Sequence, residues 1–516
     1  MLEFDTRKMI QAAAAAGTAG RPDAGTARAP KALSPAALDV ARQPSLPAWS
    51  PIVVAGTVRM IEFTLTVLIG LAVYFAYVFP TEGFEWRYVV GVLGIAALAM
   101  LAFQTADIYQ VQAFRGYEKQ YFRLASAWSL VFLIAIGVTF FAKMGDYYSR
   151  VWLAGFYVIG LVTLLAFRRA LFLMVRQWTR QGRLDRRTVI VGADESGDAL
   201  IKSLGGQRYS DVHVIGVFDD RGDERAPDGS GVRRKLGTVD DLVEFARKTR
   251  IDLVLFAFPV SAEGRILEML KKLWVLPVDI RLAAHSNKLR FRPRAYSYLG
   301  NVPVLDIVDK PITDWDVVMK WLFDKIVGSI LLILLSPIML ITAIAIKLDS
   351  RGPVFFKQKR YGFNNELIEV YKFRSMYVDQ CDATASKLVQ KGDPRVTRVG
   401  AFIRKTSIDE LPQLFNVVFK GNLSLVGPRP HAVHAKAENR LYDEAVDGYF
   451  ARHRVKPGIT GWAQICGWRG ETDTHEKILR RVEHDLYYIE NWSVLFDLFI
   501  LAKTPLALAT KSENAY

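Results

Sequence analysis

Asp409 and Glu410 are adjacent carboxylates that follow the basic residues Arg404 and Lys405 in the stretch RKTSIDELPQLFNV. A carboxylate beside two cations is expected to stay ionised at neutral pH. An ionised carboxylate can attack phosphorus and form an acyl phosphate, and a neighbouring carboxylate can hold a Mg²⁺ ion that neutralises phosphate charge. The residue types at this spacing therefore suit nucleophilic chemistry on a phosphate group.

The same residues also suit a purely structural role. Ser407 and Glu410 match the S-x-x-E capping box, in which Ser407 is the N-cap of a helix and Glu410 its N3 residue. Asp409 would then be favoured by the positive end of the helix dipole. On spacing alone the capping box is the preferred interpretation, and it does not exclude catalysis.

A strip of basic residues precedes the carboxylate pair. Segment 352–376 interleaves lysine and arginine with aromatic residues, and Arg429 follows later, fixed between Pro428 and Pro430. Arginine binds phosphate oxygens bidentately, lysine supplies a point charge, and Arg429 would steady charge that develops during a reaction. A solvated basic face beside anionic headgroups fits the same spacing equally well. The basic residues of the strip are Lys357, Lys359, Arg360, Lys372 and Arg374.

Composition narrows the possible partners. The chain has 516 residues, a net charge of +15, 51% hydrophobic residues and a mean hydropathy of +0.14. The length predicts more than one domain, and the positive charge fits nucleic acid, anionic lipid or a phosphorylated substrate. No nucleic-acid motif is present, so membrane and phosphate are favoured. The two cysteines, Cys381 and Cys466, match neither a metal site nor a disulfide framework.

The first part of the chain predicts a disordered tail and a membrane domain. Residues 1–48 are rich in Ala, Pro, Gly and Ser, which is typical of disorder. A transmembrane domain of four helices is expected over 49–180, because each of four apolar runs is long enough, or nearly so, to cross a bilayer. Arginines that follow the fourth run place its end, and with it the tail, in the cytoplasm. The four runs are about 52–79, 88–107, 124–142 and 151–174.

Residues 187–290 predict a Rossmann-like α/β domain, followed by a linker over 291–318. Three apolar strand runs alternate with helical stretches, the pattern of a doubly wound sheet. Asp194 stands where a dinucleotide fingerprint requires its second glycine, and an acidic side chain there would repel a pyrophosphate. We therefore favour a structural or regulatory role for this domain. The strand runs are 188–194, 213–220 and 252–258.

A fifth apolar run lies between Lys325 and Lys347 and has Ser336 and Pro337 at its middle. Proline inside a helix removes a backbone hydrogen bond and kinks the helix, and a serine hydroxyl can satisfy the freed carbonyl. Both flanks are basic, so both ends are expected in the cytoplasm. A kinked spanning helix is the alternative, but we favour a re-entrant helix over about 321–348, with its break at Ser336 and Pro337.

Several motifs together resemble one family. They are LLSPIML, GPVFFKQKR, YKFRSM, RKTSIDELPQLFNV, SLVGPRP, KPGITGWAQICGWRGETDT and DLYYIENWSVLFDL. The chain resembles the large monotopic phosphoglycosyl transferases of bacterial polysaccharide assembly, and within them the undecaprenyl-phosphate glucose phosphotransferase subgroup. The resemblance implies an α-helical membrane domain, a Rossmann-like CoA-binding-like domain, and an α/β monotopic catalytic domain over 319–516 with a re-entrant membrane helix.

The resemblance also implies a ping-pong reaction. Asp409 would attack the sugar-bearing phosphate of a UDP-hexose, UMP would leave, and undecaprenyl phosphate would accept the sugar phosphate. Glu410 would hold Mg²⁺, and Lys372, Arg404 and Arg429 match family positions near the phosphates. Lys359 and Arg360 are further candidates for phosphate binding from the basic strip.

Location, partners and alternatives follow from the same resemblance. The expected location is the bacterial inner membrane, with the catalytic domain on the cytoplasmic face, membrane lipid as surroundings and a homodimer as one possible state. UDP-glucose is the expected donor, with UDP-galactose as the alternative, and a non-catalytic scaffold of a polysaccharide assembly complex is a further alternative. Asp485 and Asp497 fall in a matching motif, with no role assigned.

Overall fold

A computed structural model describes most of the chain, which forms two compact units. One unit consists of Pro44–Arg187 with Ser203–His213, and the other of Met1–Gln43, Thr188–Lys202 and Val214–Tyr516. The described residues are 33–44, 48–109, 118–144, 147–192, 195–205, 212–220, 235–258, 262–283, 297–299, 302–378, 393–430, 436–437, 440–441, 449–468 and 474–510.

The first element is a short helix inside the segment predicted to be disordered. Helix α1 (Pro35–Ala41) begins at Ser34, whose hydroxyl accepts a hydrogen bond from the Ala37 amide at 3.1 Å. Ala37 is fully buried in the core of the α/β domain. The prediction of disorder over 1–48 is therefore wrong for residues 33–44, because a Ser-Pro helix start and small apolar residues suffice once a partner surface is present. The earlier part of that tail lies outside the described residues.

Four long apolar helices form the first unit and share one core. Each is long and apolar enough to cross a membrane, which confirms the four predicted spans by length and composition. The last helix extends beyond the predicted end at 174, so Arg176 and Arg180, which follow the predicted run, lie within the helix. These helices are α2 (Pro51–Glu82), α3 (Trp86–Thr105), α4 (Glu118–Phe141) and α5 (Arg150–Arg180).

A buried ion pair joins two of these helices. The Arg168 guanidinium of α5 contacts the Glu62 carboxylate of α2, with Nε 2.6 Å from Oε1 and Nη2 3.0 Å from Oε2. Both side chains are at most 3% exposed. Arg168 also donates a hydrogen bond to the Ile108 carbonyl at 3.1 Å. Because either buried charge would be left uncompensated without the other, this pair fixes the register of α2 against α5.

The α/β domain confirms the predicted doubly wound sheet. Its strand order is β3-β2-β1-β4-β5-β7-β6, and β1 pairs with β4, β2 with β3, and β4 with β5 in parallel. That order of the parallel strands is the Rossmann order. The elements are β1 (Arg186–Val191), α6 (Glu195–Gly205), β2 (Val212–Phe218), β3 (Lys235–Gly237), α7 (Val239–Lys248), β4 (Leu253–Phe256), α8 (Glu263–Leu273), β5 (Asp279–Ala283), β6 (Ser297–Leu299) and β7 (Val302–Val308).

The sheet continues into the segment predicted to be a linker. Strand β7 pairs antiparallel with β5, and β6 pairs antiparallel with β7. Residues 297–299 and 302–308 therefore belong to the sheet, and the linker predicted over 291–318 is shorter than expected. Val302 and Val304 are buried, which supplies the apolar contacts that hold this extension.

Two glycines in the first turn of this domain are explained by backbone conformation and close packing. Gly192 has φ of +115°, a region that favours glycine. A Cβ at Gly197 would lie 2.4 Å from the Gly192 carbonyl oxygen, so helix α6 could not approach β1 with any other residue there. Asp194 lies outside the described residues. Turn geometry and close packing explain both glycines without a bound dinucleotide.

The C-terminal module, residues 314–510, is built from one long helix, short strands and helical turns. Strands β8 and β9 form an antiparallel hairpin, and β10 pairs in parallel with β13. Its elements are α9 (Asp314–Asp349), β8 (Phe355–Tyr361), β9 (Leu367–Phe373), α10 (Arg398–Lys405), α11 (Gln413–Phe415), β10 (Ser424–Val426), β11 (Lys436–Ala437), β12 (Arg440–Leu441), β13 (Gly458–Thr460), α12 (Trp462–Ile465), α13 (His475–Glu490) and α14 (Val494–Thr510), with 3-10 turns at Ile408–Glu410 and Tyr449–Arg454 and a π-helical turn at Asn416–Lys420.

Helix α9 contains Pro337 and continues through it. Pro337 has no N–H to donate to the Ile333 carbonyl four residues earlier. The Ser336 hydroxyl donates to that carbonyl at 2.7 Å, as the sequence predicted. The break expected at Ser336 and Pro337 is therefore limited to one missing backbone hydrogen bond, and the helix is continuous over its 36 residues.

Both ends of α9 are fastened to the same module. Near its start, the Lys320 ammonium donates to the Asp497 carboxylate at 2.6 Å and to the Val426 carbonyl at 2.8 Å. At its end, the Asp349 carboxylate accepts a hydrogen bond from the Val399 amide at 3.1 Å. Between these points, residues at helical spacing are buried against the module, whereas the opposite face exposes large apolar side chains. The buried positions are Phe323, Asp324, Gly328, Met339, Thr342 and Ile346.

Candidate active site

The carboxylate pair lies in a tight turn between α10 and α11. Ser407 precedes this turn with φ of 59° and ψ of 17°, the left-handed region, and its side chain forms no cap hydrogen bond. The capping-box prediction is therefore wrong. The Glu410 carboxylate does not reach back to the N-cap position, because cations from other parts of the module engage it instead.

Glu410 is held by two cations from distant segments. Lys372 of β9 donates to Oε1 at 3.0 Å, and Arg429 donates to Oε1 at 2.5 Å and to Oε2 at 3.2 Å. The Glu410 side chain is 13% exposed, so these contacts are shielded from solvent. The structure thus brings together Glu410, Lys372 and Arg429, three residues predicted from separate motifs.

Asn416 sets the distance between Lys372 and the carboxylate turn. Its amide oxygen accepts a hydrogen bond from the Tyr371 amide at 2.9 Å, and its nitrogen donates to the Glu369 carbonyl at 2.7 Å. These bonds attach strand β9 to the helical segment that follows Glu410. The sequence analysis missed Asn416, although a buried polar residue inside the apolar run LPQLFNVVF was a usable signal.

The two carboxylates have opposite electrostatic environments. Burial raises the pKa of the Asp409 carboxyl from 3.8 to about 6, against the charges of Lys372 and the nearby arginines. Burial also acts on Glu410, but the charges and hydrogen bonds of Arg429 and Lys372 outweigh it and hold the pKa of Glu410 well below its usual range. Among the described residues, none donates a hydrogen bond to the Asp409 carboxylate. Asp409 is therefore an ionised but poorly compensated carboxylate at neutral pH, the condition of a reactive nucleophile.

The other residues predicted to bind phosphate, which are Arg404, Arg360 and Lys359, lie in different surroundings. Arg404, in the last turn of α10, is near enough to Asp409 to lower the pKa of that carboxyl. Arg360 lies on the Lys372 face of the hairpin, but its guanidinium donates to Gln358 Oε1 at 2.6 Å and to the Pro430 carbonyl at 3.0 Å. Lys359 is exposed on the opposite face, because successive strand residues point to opposite sides. The structure does not bring Lys359 to the carboxylate pair.

Asp497 is held by hydrogen bonds inside the C-terminal module. It is fully buried and accepts hydrogen bonds from Lys320 at 2.6 Å, from the Tyr488 hydroxyl at 2.8 Å and from the Trp492 indole at 3.1 Å. These bonds attach α14 to the start of α9. Helix α14 itself consists mainly of apolar residues.

A cavity of about 210 Å³ adjoins the carboxylate turn. Glu410 and Arg429 line one part of it, and its remaining wall is mainly apolar. Helix α9 contributes Leu331 and Leu335 to this wall, and α14 contributes Leu501. The cavity therefore connects a charged cluster that suits phosphate with apolar side chains of helices α9 and α14.

The residues present fit a Mg²⁺ ion whose remaining ligands come from the substrate. Among the described residues, no group of three or more His, Cys, Asp and Glu side chains could hold a metal by itself. Mg²⁺ is commonly held by one or two carboxylates together with substrate phosphates. The pair of Asp409 and Glu410 provides that minimum, so the donor set suits an ion that arrives with a diphosphate.

Comparisons with known proteins match two family models, which together cover most of the chain after residue 104. The bacterial sugar transferase family model matches residues 315–511, and a CoA-binding domain model matches residues 104–284. A UDP-glucose:undecaprenyl-phosphate glucose-1-phosphate transferase from Klebsiella pneumoniae is 37% identical over 465 residues, which cover 87% of this chain and 95% of that protein. A protein of the same name from Escherichia coli K12 is 36% identical over 420 residues, covering 80% and 87%.

A relative named for a different sugar matches about a third of the chain. It is a UDP-N-acetylgalactosamine-undecaprenyl-phosphate N-acetylgalactosaminephosphotransferase from Aeromonas hydrophila, 45% identical over 182 residues. The match covers 35% of this chain and 41% of that protein. Similarity to this chain thus extends to a protein named for a sugar other than glucose.

Proposed function

Because the chain belongs to the bacterial sugar transferase family, we propose that this enzyme transfers glucose-1-phosphate from UDP-glucose to undecaprenyl phosphate. One observation carries the proposal. Glu410 is neutralised by Lys372 and Arg429, whereas burial raises the pKa of the adjacent Asp409 carboxyl to about 6. A cation-lined site thus contains one carboxylate that is ionised and uncommitted at neutral pH.

In the first half-reaction, an Asp409 carboxylate oxygen attacks the phosphorus that carries the sugar. A new carboxylate–phosphorus bond forms, and the bond from that phosphorus to the bridging oxygen breaks. UMP departs with the electron pair of the broken bond, and the sugar phosphate stays on Asp409. Arg429 and Lys372 lie beside the attacking group, where they offset charge on the phosphate oxygens.

In the second half-reaction, a phosphate oxygen of undecaprenyl phosphate attacks the same phosphorus. The bond to Asp409 breaks, the carboxylate is regenerated, and undecaprenyl-diphospho-glucose forms. Two successive displacements on one carboxylate require only that donor and acceptor phosphates reach the same place in turn.

Mg²⁺ would be held by Glu410 together with the donor diphosphate, where it would neutralise phosphate charge. Lys372 and Arg429 would then keep the carboxylate turn in place. Removal of divalent ions with EDTA is expected to abolish UMP release, and added Mg²⁺ is expected to restore it.

The fastening of α9 supports a re-entrant membrane helix. Lys320 near its start and Asp349 at its end both contact the C-terminal module, which has to stay on one side of a bilayer. A helix that crossed the bilayer would place those two ends on opposite sides. The module would then lie on the cytoplasmic face of the bacterial inner membrane, where nucleotide sugars are found. The lipid-linked sugar that it forms would begin a repeat unit of an exopolysaccharide or capsule. A homodimer stays a prediction.

The cavity beside Glu410 suits the first isoprene units of the acceptor. A bulky residue at Leu335, on its wall, is expected to slow transfer to undecaprenyl phosphate while UMP release in a single turnover persists. Leu335→Trp tests this, and Leu334→Trp is the matched control because Leu334 is 66% exposed on the same helix. Equal effects of both substitutions on lipid transfer would remove the cavity assignment.

The proposed function is tested by UMP release from UDP-glucose, UDP-galactose and UDP-N-acetylgalactosamine, with and without undecaprenyl phosphate. UDP-glucose is expected to be the preferred donor, and repeated turnover is expected only with the lipid acceptor. A preference for another donor would change the sugar but retain the reaction. Absence of release with all three donors would favour the scaffold alternative.

A further inference from the structure

Arg429 belongs to a turn whose carbonyl groups are held by two other arginines. Arg452 Nη2 donates to the Arg429 carbonyl at 2.7 Å, and Arg360 Nη1 donates to the Pro430 carbonyl at 3.0 Å. Pro428 and Pro430 restrict the backbone on either side of Arg429. With φ limited by proline and two successive carbonyls held, the direction in which the Arg429 side chain leaves the backbone is fixed.

Arg452 is itself fixed by a buried carboxylate. Its Nη2 lies 2.6 Å from Asp485 Oδ2 of helix α13, and the two side chains are 0% and 2% exposed. Arg481, one turn before Asp485, adds a second positive charge near that carboxylate. Two charges removed from water this completely hold each other in one geometry, because separating them would leave each buried without compensation.

The residues next to Arg452 are held as well. The Arg247 guanidinium lies 5.0 Å from the centre of the Phe450 ring, and Arg454 Nη2 donates to the Asp309 carbonyl at 2.9 Å. Both contacts join the 3-10 turn Tyr449–Arg454 to the α/β domain. The turn that carries Arg452 is therefore a rigid support rather than a free loop.

We propose that Arg452 and Asp485 are positioning residues for Arg429: through the Arg429 carbonyl they keep its guanidinium on Glu410 and beside Asp409. The proposal rests on the proposed function, since it assigns Arg429 to the phosphate transfer. It gives Asp485 a role that its place in the sequence did not reveal. It also makes the α/β domain part of the frame that supports the reacting groups.

The test is the pre-steady-state burst of UMP from UDP-glucose without lipid acceptor, in the full-length protein. Burst amplitude measures the fraction of active protein, and the burst rate constant measures the chemical step. Asp485→Asn keeps the shape of the side chain but releases Arg452, and it is expected to lower the rate constant roughly 10- to 100-fold, as a small misplacement of a reacting group does. The amplitude is expected to stay near one per active site. A lower amplitude with an unchanged rate constant would overturn the proposal, since it would mean a structural role alone.

Glu62→Gln is the matched control. It breaks another deeply buried arginine–carboxylate pair, in the membrane helices, and is expected to lower thermal stability without changing the burst rate constant. Arg360→Gln is a second variant with a partly exposed side chain, for use if Asp485→Asn does not fold. It is expected to lower the rate constant in the same direction, and an unchanged rate constant would count against the proposal.

A double-mutant cycle separates positioning from general destabilisation. If Asp485 acts through Arg429, then Asp485→Asn is expected to have little further effect on the rate constant in an Arg429→Ala background. Independent, multiplicative effects would overturn the proposal. Absence of any burst in the wild-type protein, with turnover retained, would contradict the covalent step of the proposed function, whereas a normal wild-type burst with a normal Asp485→Asn rate would contradict the positioning role alone.

Discussion

The α/β domain and the C-terminal module use charge in different ways. Aliphatic and aromatic side chains of the central strands form the core of the α/β domain, and its Lys272–Asp240 ion pair lies at the surface with side chains 36% and 52% exposed. In the C-terminal module, by contrast, the Lys320–Asp497 pair is 12% and 0% exposed and the Arg452–Asp485 pair is 0% and 2% exposed.

This difference has a physical meaning. An apolar core needs only side chains of suitable size and pattern, so it specifies a fold without fixing any polar atom. A buried ion pair needs two particular residues in one geometry, which is costly unless the geometry is good. The C-terminal module accepts that cost around the residues that must meet a phosphate. The comparison predicts that a charge change in either of these two buried pairs matters greatly, and that a charge change in the exposed Lys272–Asp240 pair matters little.

The largest effect is expected for Asp409→Asn. It should lower UMP release by roughly 10⁴-fold or more, because a nucleophile is lost. The folded protein should nevertheless gain stability at pH 7. The folded-state pKa of about 6 exceeds the ordinary 3.8, so the carboxyl favours folding at low pH and loses that contribution as pH rises through about 6. A neutral side chain removes a penalty of at most about 3 kcal/mol.

Initial rates and thermal melting at pH 7 check both parts of this expectation. Asp240→Asn, at an exposed position of the α/β domain, is the control; it should leave UMP release unchanged and lower the melting temperature only slightly. Normal UMP release by Asp409→Asn would contradict the role of Asp409 as nucleophile.

The next largest effect is expected for Asp497→Asn. It removes the carboxylate that lies 2.6 Å from the buried Lys320 ammonium and leaves that charge with Asp324 at 3.8 Å. Breaking a buried pair costs about 3 to 5 kcal/mol. Asp240→Asn breaks an exposed pair and should cost less than about 1 kcal/mol. Urea or thermal unfolding of both variants measures the difference directly. Similar losses in the two variants would remove the contrast between the two regions.

A smaller effect is expected at Ser407, whose left-handed backbone has its counterpart in Gly192 of the α/β domain. Ser407→Gly should be tolerated, because glycine adopts this conformation without strain. Ser407→Val should destabilise the fold by about 1 to 3 kcal/mol and slow UMP release, since a β-branched residue disfavours it. Unfolding and rate measurements on both variants check this. Equal behaviour of Gly and Val would mean that the conformation at Ser407 does not matter.

The smallest expected effect is a shift in pH dependence. UMP release should fall below pH 6, because the nucleophile must be ionised and the pKa of Asp409 is about 6. Arg404 lowers the pKa of Asp409, so Arg404→Gln should move the acidic limb to higher pH by a fraction of a unit. Profiles of kcat/KM from pH 5 to 8 measure this shift. A limb that stayed in place, or moved to lower pH, would contradict the charge effect assigned to Arg404.

The same contrast explains how far the sequence could predict the structure. The four apolar helices, the parallel strands β1, β2 and β4, and the serine that supports the Pro337 helix follow from local patterns, and these were predicted. Helix α1 and strands β6 and β7 were not, because each depends on a surface supplied elsewhere in the fold.

The candidate site shows the same limit. Asp409 and Glu410 were found from their residue types and motif, but the capping box at Ser407 was wrong because Lys372 and Arg429 engage Glu410. Pairs such as Arg452–Asp485 connect residues 33 positions apart in sequence, a separation that no local spacing rule detects. Burial and partner choice, which decide what each charge does, depend on the folded chain.

The most direct measurement is mass spectrometry of the protein after reaction with UDP-glucose in the absence of undecaprenyl phosphate. The account predicts that the peptide containing Asp409 carries one hexose phosphate, that added undecaprenyl phosphate removes it, and that Asp409→Asn never acquires it. Full turnover by the wild-type protein with no modification at Asp409 would contradict a covalent intermediate on this residue.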